Sequence, residues 1–192
     1  MTTPNLTSQI QIASLADHLD LVPIVAEWLY QEWDYLYPGG SLQTRTEQVY
    51  QRARPEGIPT VFIALADKTP VGTSCLLEYD SAVDRAIEAA HLADAARGQA
   101  DLKWLEARVI PTPWLASVYV IPEYRRRGIA GQLVRHAMQA ARRLGVETLY
   151  LYTDTAGAEA LYLSLGWQVL ERLVYTDMHT TLMFANLTQL EV

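Results

Sequence analysis

The sequence predicts an α+β fold: a mixed central β-sheet of about seven strands with helices on both faces, three layers in all. Three observations point there. Short β-branched and aromatic runs alternate with helical stretches along the chain. The run at 60–66 is followed by a second strand after a bare turn, and the last two strands also lack a helix between them, so the sheet is mixed. Hydrophobic residues make up 50% of 192 residues, ample for the core of one domain.

Each element has its own warrant. "QIQIAS" (Gln9–Ser14) alternates and predicts the first strand. Asp17 is a candidate cap for a helix from His18 to Trp33, which "YPGGS" breaks. A second short helix is expected from Gln43 to Arg54. "TVFIALA" (Thr60–Ala66) is a strand, "DKTP" a turn, and "VGTSCLLEY" (Val71–Tyr79) its hairpin partner. An Ala-rich excursion at about 81–107 has helical propensity and a stop at Gly98. "WLASVYVI" (Trp114–Ile121) is an aromatic and β-branched strand. The helix after it runs from Ile129 to Leu144 and ends at Gly145. "ETLYLYT" is a strand, "GAEALYLSLG" a short helix stopped by Gly166, and "WQVLERLVY" and "TTLMFANL" close the sheet.

Composition excludes several classes. Charged residues are 19%, too few and too interrupted for a disordered acidic chain. No apolar run reaches the roughly 18 residues that span a bilayer. "MTTPNLTSQIQIAS" lacks the basic and apolar regions of a secretory signal. Cys75 is alone, so neither a disulfide framework nor a thiol metal site is expected. These features suit a cytoplasmic protein without membrane partners. The net charge of −7 argues against nucleic acid and suits a cationic amine, of a small molecule or a protein.

One stretch runs against that acidity. "YVIPEYRRRGIAGQLVRHAM" (Tyr119–Met138) opens a segment, Arg125 to Arg143, with six Arg and no Asp or Glu. Pro122 ends a strand and Gly128-Ile129-Ala130-Gly131 opens a helix. The first amides of a helix lack internal partners and sit at the positive end of its dipole. Small residues let a ligand approach the backbone. Strand, glycine-containing turn and helix N-terminus can therefore cradle a phosphate or pyrophosphate. A solvated Arg-rich loop is the competing explanation. Neither the P-loop pattern nor G-x-G-x-x-G is present; the pattern is Arg125-x-x-Gly128-x-Ala130.

"V-x-V-x-P-x-Y-R-x-R-G-I-A" resembles motif A of the GNAT N-acetyltransferase superfamily, [QR]-x-x-G-x-[GA]. "ALYLSLGW" is similar to that family's A-x-x-x-Y-x-x-x-G-[FW] segment, and the hairpin "VFIALADKTPVGTSCLLEY" to its second and third strands. The resemblance covers nearly the whole chain and implies a single GNAT domain, with acetyl-CoA as cosubstrate and no metal. It implies that Val118 and Val120, with Tyr119 between them, pair through backbone with the pantetheine arm. Arg125 opens the pyrophosphate pattern, and Arg126, Arg127, Gly128, Ile129, Ala130 and Gly131 supply backbone N–H groups. Thr155 stands where many relatives have an Asn that contacts the pantetheine. Tyr162 stands at the family's general-acid Tyr. The partners implied are acetyl-CoA and an amine acceptor, with a second copy of the chain as a further candidate.

Amine acetylation by direct transfer needs an oxyanion donor, for which the Val118 N–H is the candidate, and an acid for the thiolate, here Tyr162. Relatives often carry the base two or four residues before the Val118 position. Ala116 and Trp114 stand there, and neither takes a proton. Glu78, Glu32 and His179 are the remaining candidates, beside a water chain or an amine that arrives neutral. A CoA-binding module without catalysis and transfer of a larger acyl group are the rival functions. Without the motif, Tyr162 reads as a core aromatic. His136 reads as solvated and Cys75 as core. "WLYQEWDYLYP" (Trp28–Pro38) is either an acceptor wall or ordinary packing, with Glu32 and Asp34 able to attract a cation. The excursion at 81–107 is a cover for the acceptor site, a subunit contact or a surface insertion.

Overall fold

The structure is a computed structural model that describes residues 9–33, 35, 39–79, 111–175 and 178–189. It has a seven-stranded mixed sheet in the order β1-β2-β3-β4-β5-β7-β6. The strands are β1 (Ile10–Ser14), β2 (Thr60–Ala66), β3 (Thr69–Leu77), β4 (Trp114–Val120), β5 (Thr148–Thr153), β6 (Gln168–Tyr175) and β7 (Met178–Asn186). The helices are α1 (Val22–Trp33), α2 (Leu42–Arg52), α3 (Ile129–Arg143) and α4 (Ala156–Ser164). The expected α+β architecture is present. The Ala-rich excursion at about 81–107 lies outside the described residues.

The described residues form two compact units. Those up to Leu77 and from Leu115 to Gly145 make the first; Glu78 to Trp114 and Val146 onward make the second.

In the first unit β1 pairs antiparallel with β2, and β2 with β3. β2 and most of β3 are buried on both sides, hence their almost unbroken apolar runs. β3 begins two residues earlier than its apolar pattern suggests. Asp67 and Lys68 both take positive φ, 47° and 74°, so a two-residue hairpin turn delivers the chain straight into Thr69. The first helix differs more. Ser14, not Asp17, caps a short 3-10 turn at Leu15–Asp17, and a second follows at Leu19–Leu21. The α-helix proper starts at Val22 because Pro23 lacks an N–H and is tolerated only in a first turn.

α3 lays Ile129, Leu133, Val134, Ala137, Met138 and Ala141 into the core. It reaches β2 and β3 closely because Gly72 carries no side chain. A Cβ there would stand 2.7 Å from the Tyr119 carbonyl oxygen and 3.3 Å from Leu133 Cδ1 and Val120 Cγ2. His136, expected in solvent, instead packs edge-on against Phe62 with ring centroids 4.8 Å apart. Burial and then the charge of Arg143 lower its pKa, so the neutral ring is the form that packs.

In the second unit β7 pairs antiparallel with both β5 and β6. Trp114 pairs parallel with Tyr150. The core holds Leu149, Leu151, Trp167, Leu182, Met183, Ala185 and Leu187.

Candidate active site

In the first unit the candidate residues form one continuous run. β4 is irregular where the notional acyl-binding stretch begins: Ser117 takes φ 54°, a left-handed value rare for a non-glycine residue inside a strand. Ala116, Ser117, Val118 and Tyr119 are half-buried, and Val120 is buried. A single 3-10 turn (Pro122–Tyr124) follows, with Tyr124 N–H bonded to Ile121 O at 3.0 Å.

The turn into α3 is held by its own arginines. Arg125 Nε donates to Val120 O at 2.9 Å, and its guanidinium lies 5.6 Å from the centre of the Tyr119 ring. Its Nη2 is 4.0 Å from Glu32 Oε2. Arg127 Nη2 donates to Glu123 O at 2.9 Å, and its guanidinium lies over the Tyr124 ring at 4.7 Å. Arg126 takes φ 64° and Gly128 φ 77°. Alternation of ordinary and left-handed residues turns successive amides inward on a concave arc, which is the geometry of an anion nest.

The amides bear this out. Arg125 N–H is spent on Pro122 O and Gln132 N–H on Gly128 O. Between them the N–H groups of Arg126, Arg127, Gly128, Ile129, Ala130 and Gly131 have no acceptor among the described residues. An ordinary helix leaves about four such donors. Gly128 caps α3 without a side-chain hydrogen bond, and no acidic residue occupies the first turn to satisfy the dipole internally. A Cβ built on Gly128 meets nothing within 4 Å, so the backbone there borders open space. These features fit a pyrophosphate. Residues Arg126 to Gly131 would hold it through backbone, with Arg125 and Arg127 shaping the loop.

Tyr119 also meets α1. Its ring centroid lies 5.8 Å from that of Trp28 and 6.2 Å from that of Trp33. Glu32 sits on the same helix, exposed. Asp34 lies outside the described residues.

In the second unit Thr155 caps α4: its hydroxyl oxygen accepts from Ala158 N–H at 3.4 Å and remains free to donate its own proton. Tyr162 is the buried residue of α4. Its ring lies 5.9 Å from that of Trp167, and burial pushes its phenol up to about 12. The hydroxyl therefore keeps its proton throughout the neutral range. On the same helix Glu159 forms a two-pronged ion pair with Arg172, at 2.6 and 2.8 Å.

The base candidates are less distinctive. Glu78 and His179 are exposed, like Glu32. Glu78 contributes its carbonyl oxygen to the Thr112 hydroxyl, and His179 stands opposite Val174 in the β6–β7 ladder. No group of three His, Cys, Asp or Glu residues among the described residues is placed to hold a metal. No described helix is long and apolar enough to cross a membrane.

Sequence reasoning singled out the run from Val118 to Gly131 and the motif carrying Tyr162 as candidates. It missed the left-handed Ser117 and Arg126, since neither Ser nor Arg signals positive φ. It also missed the Glu159–Arg172 pair, whose partners lie on different elements with no spacing rule between them.

The chain matches the acetyltransferase (GNAT) family over residues 22–167. It belongs to that family. Over 71 residues it is 34% identical to an aminoglycoside N(6')-acetyltransferase type 1 from Acinetobacter genomosp. 13. That match covers 36% of this chain and 49% of the relative, so it spans about half the relative's length. Among solved structures, yncA from Salmonella typhimurium, determined with its cofactor acetyl-CoA, superposes with a TM-score of 0.62. The identity is 15%, and the alignment covers 95% of this chain and 96% of that one. A polyamine N-acetyltransferase from Drosophila melanogaster has a TM-score of 0.61 at 18% identity, covering 92% of this chain and 98% of that one. At these identities the structural likeness concerns the fold.

Proposed function

We propose that this chain transfers an acetyl group from acetyl-CoA to the amine of a small molecule, directly, with both substrates bound. The observation that carries the reading is the run of unpartnered amides from Arg126 to Gly131. Backbone donors without internal acceptors, beside a glycine opening on free space, suit an oxygen-rich diphosphate better than a solvated loop. Acetyl-CoA supplies the activated acyl group. Val118 and Val120 align its arm through backbone, and the Val118 N–H donates to the oxygen on which charge develops. The small-molecule acceptor rests on the aminoglycoside-acetylating relative. The acidic balance of the chain and Glu32 favour a cationic amine. The lone Cys75 is buried, in keeping with a reducing cytoplasm. The chain acts in this reading as a single GNAT domain, and a homodimer is compatible with it.

Tyr162 stabilises the departing thiolate by donating a hydrogen bond. Outright proton transfer is the weaker option. A thiol ordinarily titrates near 8.5, and moving a proton from a phenol at about 12 runs uphill by roughly 5 kcal/mol. Thr155 serves as a donor to the arm only if its cap on α4 is kept.

The test is thiol release from acetyl-CoA with a panel of aminoglycosides, polyamines and simple alkylamines. Turnover with at least one is expected. Tight CoA binding without turnover on any would favour the rival, a CoA-binding module, which the lack of a base at Trp114 and Ala116 otherwise recommends.

That lack yields a second expectation. Trp114 is buried and Ala116 has no titratable group, so the amine is expected to enter neutral. kcat/KM should then rise with pH to a break that tracks the acceptor and moves upward for a more basic amine. A pH–rate profile with two acceptors of different basicity checks it. A break common to both, abolished by replacing Glu78, Glu32 or His179, would reveal a side-chain base.

A further inference from the structure

α4 is poorly anchored by apolar packing. Of its nine residues only Tyr162 is buried. α1 by contrast buries Val22, Val25, Ala26 and Leu29, and α3 buries seven residues. A helix gripped by one ring is free to roll and slide unless something else fixes it.

Something else does. Glu159 lies three residues before Tyr162, so both project from the same side of the helix. Arg172 on β6 and Thr181 on β7 stand directly opposite each other in the antiparallel ladder. Together they form a polar receptor for the Glu159 carboxylate. Arg172 Nη2 donates to Oε1 at 2.6 Å and Nη1 to Oε2 at 2.8 Å. The Thr181 hydroxyl donates to Oε2 at 2.9 Å, and Arg172 Nη1 also reaches its oxygen at 3.0 Å. The guanidinium first, and then the hydroxyl, hold the carboxyl down at about 2, so it is charged at any working pH. A planar fork on a carboxylate fixes both distance and orientation, which a single hydrogen bond does not.

We propose that the Glu159–Arg172–Thr181 clamp is a positioning device for Tyr162: it fixes the roll of α4 on the β6–β7 ladder and so sets where the phenol hydroxyl points. This rests on the role given to Tyr162 above. A misplacement of about 1 Å at a reacting group can cost on the order of 10²-fold in rate. The clamp therefore acts chiefly on kcat: the pyrophosphate cradle proposed above belongs to α3 and the turn before it, and of the cofactor candidates only Thr155 lies on α4, as its cap. Glu159, Arg172 and Thr181 are positioning residues.

The test compares Glu159→Ala, Glu159→Gln, Tyr162→Phe and the double variant Glu159→Ala/Tyr162→Phe in the full-length chain. Each is checked by thermal melting and assayed for thiol release from acetyl-CoA with the best acceptor of the panel. Expected are a kcat about tenfold lower for Glu159→Ala, a smaller loss for Glu159→Gln, and a KM for acetyl-CoA within about twofold of the parent. The decisive reading is non-additivity. With the phenol already gone, removing the clamp should cost nothing further, so the double variant should match Tyr162→Phe alone. Losses that multiply would make the clamp merely structural and overturn the inference, as would an unchanged kcat for Glu159→Ala beside a slow Tyr162→Phe. A Tyr162→Phe variant at full speed would instead overturn the role of Tyr162, and the inference with it. If Glu159→Ala does not fold, Thr181→Val combined with Tyr162→Phe carries the same comparison.

Discussion

Replacing Tyr162 by Phe is expected to lower kcat by about 10²- to 10³-fold and to leave affinity for CoA nearly unchanged. The substitution keeps the ring that packs 5.9 Å from Trp167 and removes only the hydroxyl. α4 keeps its one buried side chain and the Thr155 cap, so the fold is preserved. What is lost is a protonated donor in a buried setting, where a hydrogen bond to developing charge is worth most. The phenol's raised pKa, about 12, fixes a companion result. A group raised from 10 keeps its proton below that value and releases it only as pH climbs toward 12. The parent enzyme should therefore show no alkaline loss of kcat attributable to Tyr162 below about pH 10. Steady-state kinetics of both proteins between pH 6 and about pH 10 measure the two effects together. Near-parental kcat in the variant would return Tyr162 to plain core packing.

The sheet was legible because its signals are local. Thr60–Ala66 is apolar, β-branched and bounded by a turn, and the strand has those bounds. Gly145 and Gly166 mark the ends of α3 and α4, where both take positive φ. The start of α1 was misjudged because Asp17 is a good cap by type, while Pro23 decides where a helix can begin. The turn proposed as a cradle was legible through its glycine and small residues, but the work of its arginines was not. Arg125 and Arg127 look like charges awaiting a ligand. In the structure they grip Val120 and Glu123 carbonyls and stack on tyrosines, and the amides from Arg126 to Gly131 stay without an acceptor among the described residues. His136 misled for a related reason: its neighbours on α3 are polar, whereas the group that covers it, Phe62, comes from β2. Contacts between elements distant in sequence have no period to betray them.

Gly128→Val is expected to weaken binding of CoA at least tenfold, about 1.4 kcal/mol. Two effects add. Gly128 holds φ 77°, which a β-branched residue adopts only with strain. The new side chain would also project into the open space beside the amides of Arg126 to Gly131, where a pyrophosphate must come close. The second effect is separable from the first. Gly128→Ala carries most of the backbone strain and little of the bulk, and the absence of any atom within 4 Å of its Cβ means that no packing clash confuses the comparison. If the loop acts as a cradle, Val should bind CoA more weakly than Ala, and Ala more weakly than Gly. Pantetheine, which lacks the diphosphate, should show almost none of that gradation. Calorimetric titration of the three folded proteins with CoA and with pantetheine gives the answer. Equal CoA affinity across the series would mean that the amides serve something other than a diphosphate, and equal losses for both ligands would place the damage in β4.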